Sequence, residues 1–217
     1  MSATPDLLYS DVEDQLRSTL RSVLKGRSDA AAMLQRIESD QPYDLDLWRA
    51  LATEVGAAAL PIPEAFGGAG ASWRETAVVA EEMGRAVAPV PYLGSAVLAT
   101  RLLMGCDQNE LLEQLASGTV TATAATPLAT RPGTPFEARV VASGGSVSGT
   151  VTSVADALVA DRFVVPAREG DGAAVFIVDA ADASVEPAVS MDLTRPLSTV
   201  SFDGAAASRV ATGQQAR

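Results

Sequence analysis

Leu111-Leu112-Glu113-Gln114-Leu115-Ala116-Ser117-Gly118-Thr119-Val120-Thr121-Ala122-Thr123-Ala124-Ala125-Thr126 marks the point where the chain changes character. Its first half has leucines at helical spacing and a glycine where a helix would stop. Its second half is small and β-branched, as strands prefer. Working outward from Gly118, everything before it reads as helix and loop, and everything after it as short strands. The result is a segregated α+β chain rather than alternating βαβ units. We expect an all-helical domain over 1–118 and a small antiparallel β-barrel or sandwich over 119–217.

Upstream, Ser10-Asp11-Val12-Glu13 is a capping box. Val12, Leu16, Leu20, Val23 and Leu24 follow on one predicted face, with Gly26 as a stop. A short helix carries Met33, Leu34 and Ile37, and another starts near Asp44 with Leu47, Trp48, Leu51 and Val55 on one side. The stretch 60–70, with two prolines and three glycines, is a loop. A second capping box, Ser72-Trp73-Arg74-Glu75, opens a helix that runs to about Arg85. Val97, Leu98, Leu102 and Leu103 belong to one more, and Asp107 to Leu115 to the last. Downstream, strands are predicted at Arg139–Val141, Val147–Val151, Phe163–Val165, Ala174–Val178 and Leu197–Phe202. Gly170-Asp171-Gly172 is a hairpin signal, and Asp203-Gly204 reads as the turn that ends the last strand. The segment Arg209–Arg217 reads as a polar, fraying tail or as a chain stopped at a domain boundary.

Composition excludes several chemistries. The 217 residues include no His and one Cys, and the net charge is −11. There is no Ser-His-Asp or Cys-His triad and no histidine metal site. Cys106 alone makes neither an intrachain disulfide nor a CxxC pair. So acidic a chain is a poor partner for nucleic acid or an anionic membrane. Both halves are acidic, with nine basic against 17 acidic residues up to Gly118 and seven against ten beyond it. Met1–Asp14 has no basic segment followed by an apolar one, and no run approaches the roughly 20 apolar residues of a membrane span. A cytoplasmic protein is expected.

Candidate site residues are few. Gly67-Gly68-Ala69-Gly70 precedes a helix, but no strand feeds it and no Gly-Lys-Ser/Thr follows, so a tight turn is the better reading than a phosphate loop. Glu81 and Glu82 point about 100° apart on a helix and read as a solvated face. Asp179 and Asp182 lack the company of further metal ligands. Trp48 and Trp73 read as packing residues. Cys106 has no basic neighbour to activate it. No catalytic residue and no metal ligand is assigned.

A family resemblance supplies more. Pro61-Ile62-Pro63-Glu64-Ala65-Phe66-Gly67-Gly68-Ala69-Gly70-Ala71-Ser72, followed by Glu81-Glu82-Met83-Gly84-Arg85, resembles the "vPeeyGGxGxs … EElGR" signature of acyl-CoA dehydrogenases. Pro89–Leu93, Leu111–Gly118, Gly149–Ala167, Asp192–Leu197 and Phe202-Asp203-Gly204 continue the resemblance in order, most closely to the divergent actinobacterial branch. It implies a helical domain and a middle β-domain. The family's C-terminal four-helix domain, which in most members carries the catalytic glutamate, has no counterpart here.

The implied reaction is the α,β-dehydrogenation of an acyl-CoA thioester, as in fatty acid β-oxidation, with FAD as hydride acceptor. The resemblance implies an oxidoreductase whose isolated chain is inactive. Its alternative is a degenerate, non-catalytic subunit packed against a competent acyl-CoA dehydrogenase. Flavin-facing positions carry over to Ala125 and Thr126, and to Ser153, Val154 and Ala155. Pro127 stands where the family has Glu, Val151 where it has Lys, and Leu128–Thr134 lacks the usual glycines and serines. FAD binding by the isolated chain is therefore expected to be weak or absent. The implied partners are the acyl-CoA substrate, an electron-transfer flavoprotein as acceptor, and a homo- or hetero-oligomeric neighbour. That neighbour would cover apolar surface left open on the Val97–Leu103 helix and around Thr126 and Val154.

Overall fold

The structure is a computed structural model that describes residues 8–106, 108–131 and 137–213. Asp107, the expected start of one helix, residues 132–134 of the Leu128–Thr134 segment, the start of the N-terminal stretch (1–7) and the end of the tail (214–217) lie outside the described residues. The helical half consists of α1 (Asp11–Arg27), α2 (Ala30–Ile37), α3 (Leu45–Glu54), α4 (Trp73–Arg85), a π-helical segment (Leu93–Ala99) running directly into α5 (Thr100–Leu103), and α6 (Asn109–Ser117). The β half follows as β1 (Ala122–Ala124), β2 (Val140–Ser143), β3 (Ser146–Ala155), β4 (Arg162–Glu169), β5 (Gly172–Asp179), β6 (Ala183–Pro187) and β7 (Leu197–Thr212).

The Ser10 capping box forms as predicted. The Glu13 amide donates to Ser10 Oγ at 3.3 Å and the Ser10 amide donates to Glu13 Oε2 at 2.6 Å. At α4 the cap differs from the prediction: Ser72 Oγ accepts from the Arg74 amide at 3.1 Å and donates to the Glu75 carboxylate. One orphan amide is still satisfied, so Ser72→Ala should cost about 1 kcal/mol in a urea melt.

The buried stripe of α1 is Glu13, Arg17, Leu20 and Leu24, and Val12 is 68% exposed. The expected wholly apolar face is thus half polar, and the reason is α4. Arg17 Nη1 lies 2.8 Å from both Glu81 and Glu82, Arg21 bonds Glu82 through Nε (2.8 Å) and Nη2 (2.9 Å), and Arg74 reaches back to Glu13 at 2.7 Å. The solvated-face reading holds for half-exposed Glu81 and fails for Glu82, whose side chain is 1% exposed. Trp48 is core, edge-on to Tyr92 with ring centroids 6.5 Å apart, whereas Trp73 is 41% exposed.

The strands close into a barrel in the order β4-β2-β3-β7-β5, with β5 pairing back to β4; β1 adds to β4, and β6 to β7. Pairing is mainly antiparallel, and β1–β4 and β2–β4 are parallel. Phe163, Val165 and Ala167 of β4 face the barrel interior with Phe176, Val178 and Phe202. Val164 and Val175 point the other way, against Ile62, Leu103, Leu112 and Leu115 of the helical half. Burial on both faces explains why β4 and β5 read as continuous apolar runs. The Gly170-Asp171 hairpin forms as predicted. β7 does not stop at Asp203-Gly204 but runs on to Thr212. Val210 and Ala211, expected in a fraying tail, are buried.

Candidate functional site

The helical half meets the barrel at the C-terminal end of β3. Pairing with β7 skips register between Val151 and Val154, and in this bulge Ser153 takes φ 58° and Asp156, just past the strand, φ 56°. Side chains rarely adopt such angles, and they occur where surrounding contacts hold them. For Asp156 those contacts come from across the junction. Its Oδ1 accepts from the Tyr43 hydroxyl at 2.9 Å and its Oδ2 from the Gly94 amide at 2.6 Å. A Cβ on Gly94 would sit 2.8 Å from Asp156 Cβ and from Thr123 Oγ1, so only glycine lets the π-helical segment approach this closely.

Burial pushes the Asp156 carboxyl above its ordinary pKa. The Gly94 and Tyr43 hydrogen bonds and the Arg195 charge oppose that rise. The Tyr43 hydroxyl is pushed up in turn, by burial and by the Asp156 charge. Sequence reading passed over Asp156. Its one local signal is a carboxylate within Val154-Ala155-Asp156-Ala157, an otherwise apolar stretch.

Beside this junction is a cavity of about 300 Å³. Met83 and Gly84 of α4, Val90, Leu93 and Leu128 form its apolar walls. Asp156 and Arg195 are its charged members, with Ala155 and Leu197 between the two in the barrel.

The residues singled out for a flavin come together here. The Leu128 amide donates to the Ser153 carbonyl at 2.9 Å, and Thr123 Oγ1 to the Ala155 carbonyl at 2.8 Å, which ties 123–128 to 153–155. Ala125 and Val154, however, are 3% and 0% exposed, with side chains in the barrel core. The amides of Ala125, Thr126 and Leu128 already donate to Val164, Ala124 and Ser153. Among these five residues the polar side chains are the half-buried hydroxyls of Thr126 and Ser153. Two hydroxyls, with the amides of Ala125, Thr126 and Leu128 already engaged, do not fit a firmly held FAD.

The Gly67–Gly70 loop is equally occupied with itself. Its amides and that of Ala71 donate to the carbonyls of Glu64, Pro63, Ala59, Ile62 and Leu60. That leaves none of them for a phosphate, in keeping with the tight-turn reading. Among the described residues no cluster of three or more His, Cys, Asp or Glu is placed to hold a metal, and no helix is long and apolar enough to cross a membrane.

The exposed apolar surface falls only in part where the sequence placed it: Leu128, two residues past Thr126, is 44% exposed and Met104, just after the Val97–Leu103 helix, 38%, whereas Val154 is buried. On the Val97–Leu103 helix Ala99 and Leu103 are buried, and Val97 and Leu102 pack partly into the cores. Among the described residues the fully exposed large apolar side chains are Val189 and Met191, in the β6–β7 loop.

Residues 10–119 match the model of the acyl-CoA dehydrogenase N-terminal domain. The chain belongs to the acyl-CoA dehydrogenase family. Acyl-CoA dehydrogenase IpdE2 of Mycolicibacterium smegmatis is 43% identical over 109 residues, which is 50% of this chain and 35% of that relative. The ChsE4-ChsE5 complex from Mycobacterium tuberculosis superposes with a TM-score of 0.82 at 26% identity, over 98% of this chain and 60% of that one. A glutaryl-CoA dehydrogenase from Mycobacterium smegmatis, solved with FADH2, shares the fold at 17% identity, with a TM-score of 0.77 over 96% of this chain and 58% of that one. This acyl-CoA dehydrogenase chain thus spans about a third of the curated relative's length and about 60% of these two solved chains.

Proposed function

We propose that the chain acts in the α,β-dehydrogenation of an acyl-CoA thioester as a partner-dependent subunit. It would supply the helical wall and the barrel, and a second acyl-CoA dehydrogenase chain would contribute the catalytic base and the firmly held FAD. Electron-transfer flavoprotein would be the acceptor. What supports this reading is the combination of family membership with a flavin-facing edge whose amides at Ala125, Thr126 and Leu128 already donate within the fold. The likeness to a structure solved as a two-protein complex points the same way.

Abstracting a weakly acidic α proton needs a positioned base, and such groups typically contribute about 10²–10⁴-fold. No residue of the chain is assigned that role. The purified chain, freed of host dehydrogenases, should therefore lack absorbance near 450 nm and give no turnover with acyl-CoA and an artificial acceptor. Light scattering should show it joining a flavin-bearing acyl-CoA dehydrogenase from the same genome. Stoichiometric flavin and turnover from the chain alone would overturn the reading.

A further inference from the structure

The cavity at the junction has a feature that packing does not account for. Asp156 and Arg195 both line it, yet no ion pair within 4 Å joins them among the described residues. Asp156 is 6% exposed and each of its oxygens accepts one hydrogen bond, where a carboxylate has about four acceptor sites in all. Arg195 is half-buried and donates through Nη1 to the Thr194 carbonyl; its remaining N–H groups have no protein acceptor among the described residues. The other walls are mainly apolar.

Gly84 is an exposed member of the lining on α4 and leaves room at the edge of the cavity. Gly84 lies in α4, where glycine costs roughly 0.5–1 kcal/mol relative to alanine. A Cβ there would meet nothing within 4 Å. The volume, about 300 Å³, is at the small end of ligand pockets and equals about ten waters.

We propose that this cavity binds an apolar group bearing one hydroxyl, which accepts from Arg195 and donates to Asp156. A separated acid and base select for a group that is donor and acceptor at once. A carboxylate would meet Asp156 as a like charge, and an ammonium would meet Arg195. A plain hydrocarbon would strip water from both charges and return nothing. If the chain serves acyl-CoA dehydrogenation as proposed above, the bound group is a hydroxylated, ring-sized part of the acyl moiety. That link rests on the proposed function, but binding itself is measured without flavin or thioester, so either reading can fail alone.

The test is titration of the full chain, carrying ¹³C-methyl methionine, with cyclohexylmethanol while the Met83 methyl resonance is followed. A saturable shift is expected. Cyclohexanecarboxylate should bind at least tenfold more weakly, and Arg195→Gln should weaken the alcohol at least tenfold. Gly84→Leu, which places a side chain at the edge of the cavity and favours the helix, should abolish the shift with Arg195 intact. No saturable shift, equal binding by Arg195→Gln or Gly84→Leu, or tighter binding of the carboxylate would overturn the proposal. Should Arg195→Gln fail to fold, the ligand pair and Gly84→Leu still decide it.

Discussion

Gly68→Ala should destabilise the chain by about 3 kcal/mol or more, and Gly68→Val by more still. A Cβ built on Gly68 falls 1.9 Å from the Ile62 carbonyl oxygen and 2.6 Å from Ile62 Cβ. Neither atom has room to yield. Ile62 is fully buried among Leu103, Leu111, Leu112 and Leu115, and its carbonyl accepts from the Gly70 amide at 2.8 Å. The cost is therefore steric and not a matter of backbone angle, because positive φ belongs to Gly67 (75°) and Gly70 (59°). Gly67 is the contrasting case. It caps a short 3₁₀ turn, and a Cβ there meets nothing within 4 Å. Gly67→Ala should cost only the left-handed penalty of about 1–2 kcal/mol. Urea denaturation of the two alanine variants ranks them, and equal midpoints would show that the loop does not pack on Ile62 in this way.

The loop illustrates which parts of the fold were legible in the sequence. Turn chemistry, capping residues and the switch from helical to strand-like spacing at Gly118 are local signals, and the elements they predict are present. Long-range pairing leaves no local trace. Glu82 looks like any surface glutamate until Arg17 and Arg21, 65 and 61 residues away, are brought against it. β7 reads as ending at Asp203-Gly204 because a turn dipeptide there is ambiguous. It continues because β3 pairs with Ala205 and Ala206, and β5 then takes over from Ala207 to Thr212.

The candidate site divides the same way. Family resemblance brought Ala125, Thr126 and Ser153–Ala155 to one place, and they do lie together. Whether they hold a flavin depends on which amides are free, and that is decided by strand pairing. Asp156 carries little local signal, because its partners, Tyr43 and Gly94, come from two separate parts of the helical half.

The α1–α4 ion network should make the chain sensitive both to a single substitution and to acid. Glu82→Ala removes the carboxylate that two arginines share and leaves Arg17, whose side chain is 10% exposed, with half-exposed Glu81 and the Tyr9 ring as its partners. Stranding a buried charge typically costs about 3–5 kcal/mol. The Arg21 side chain is 47% exposed and can turn to water, so about 2–3 kcal/mol is expected, or roughly 5–10 °C in Tm. Glu81→Ala should cost less than about 1 kcal/mol, since Glu81 is half in solvent. Arg21 holds the Glu82 carboxyl below its usual pKa, Arg17 does the same for Glu81, and Arg74 draws Glu13 down from 4.5 to about 2. Folding stabilises the charged form of all three. Their contribution is thus complete above the ordinary carboxylate range and is lost as pH falls from about 4.5 toward 2. Thermal melts from pH 7 to pH 2 should show the wild-type Tm falling across that window. The Glu82→Ala curve should start lower and fall less, so that the two converge in acid. Parallel curves would mean that Glu82 contributes by packing and not through its charge.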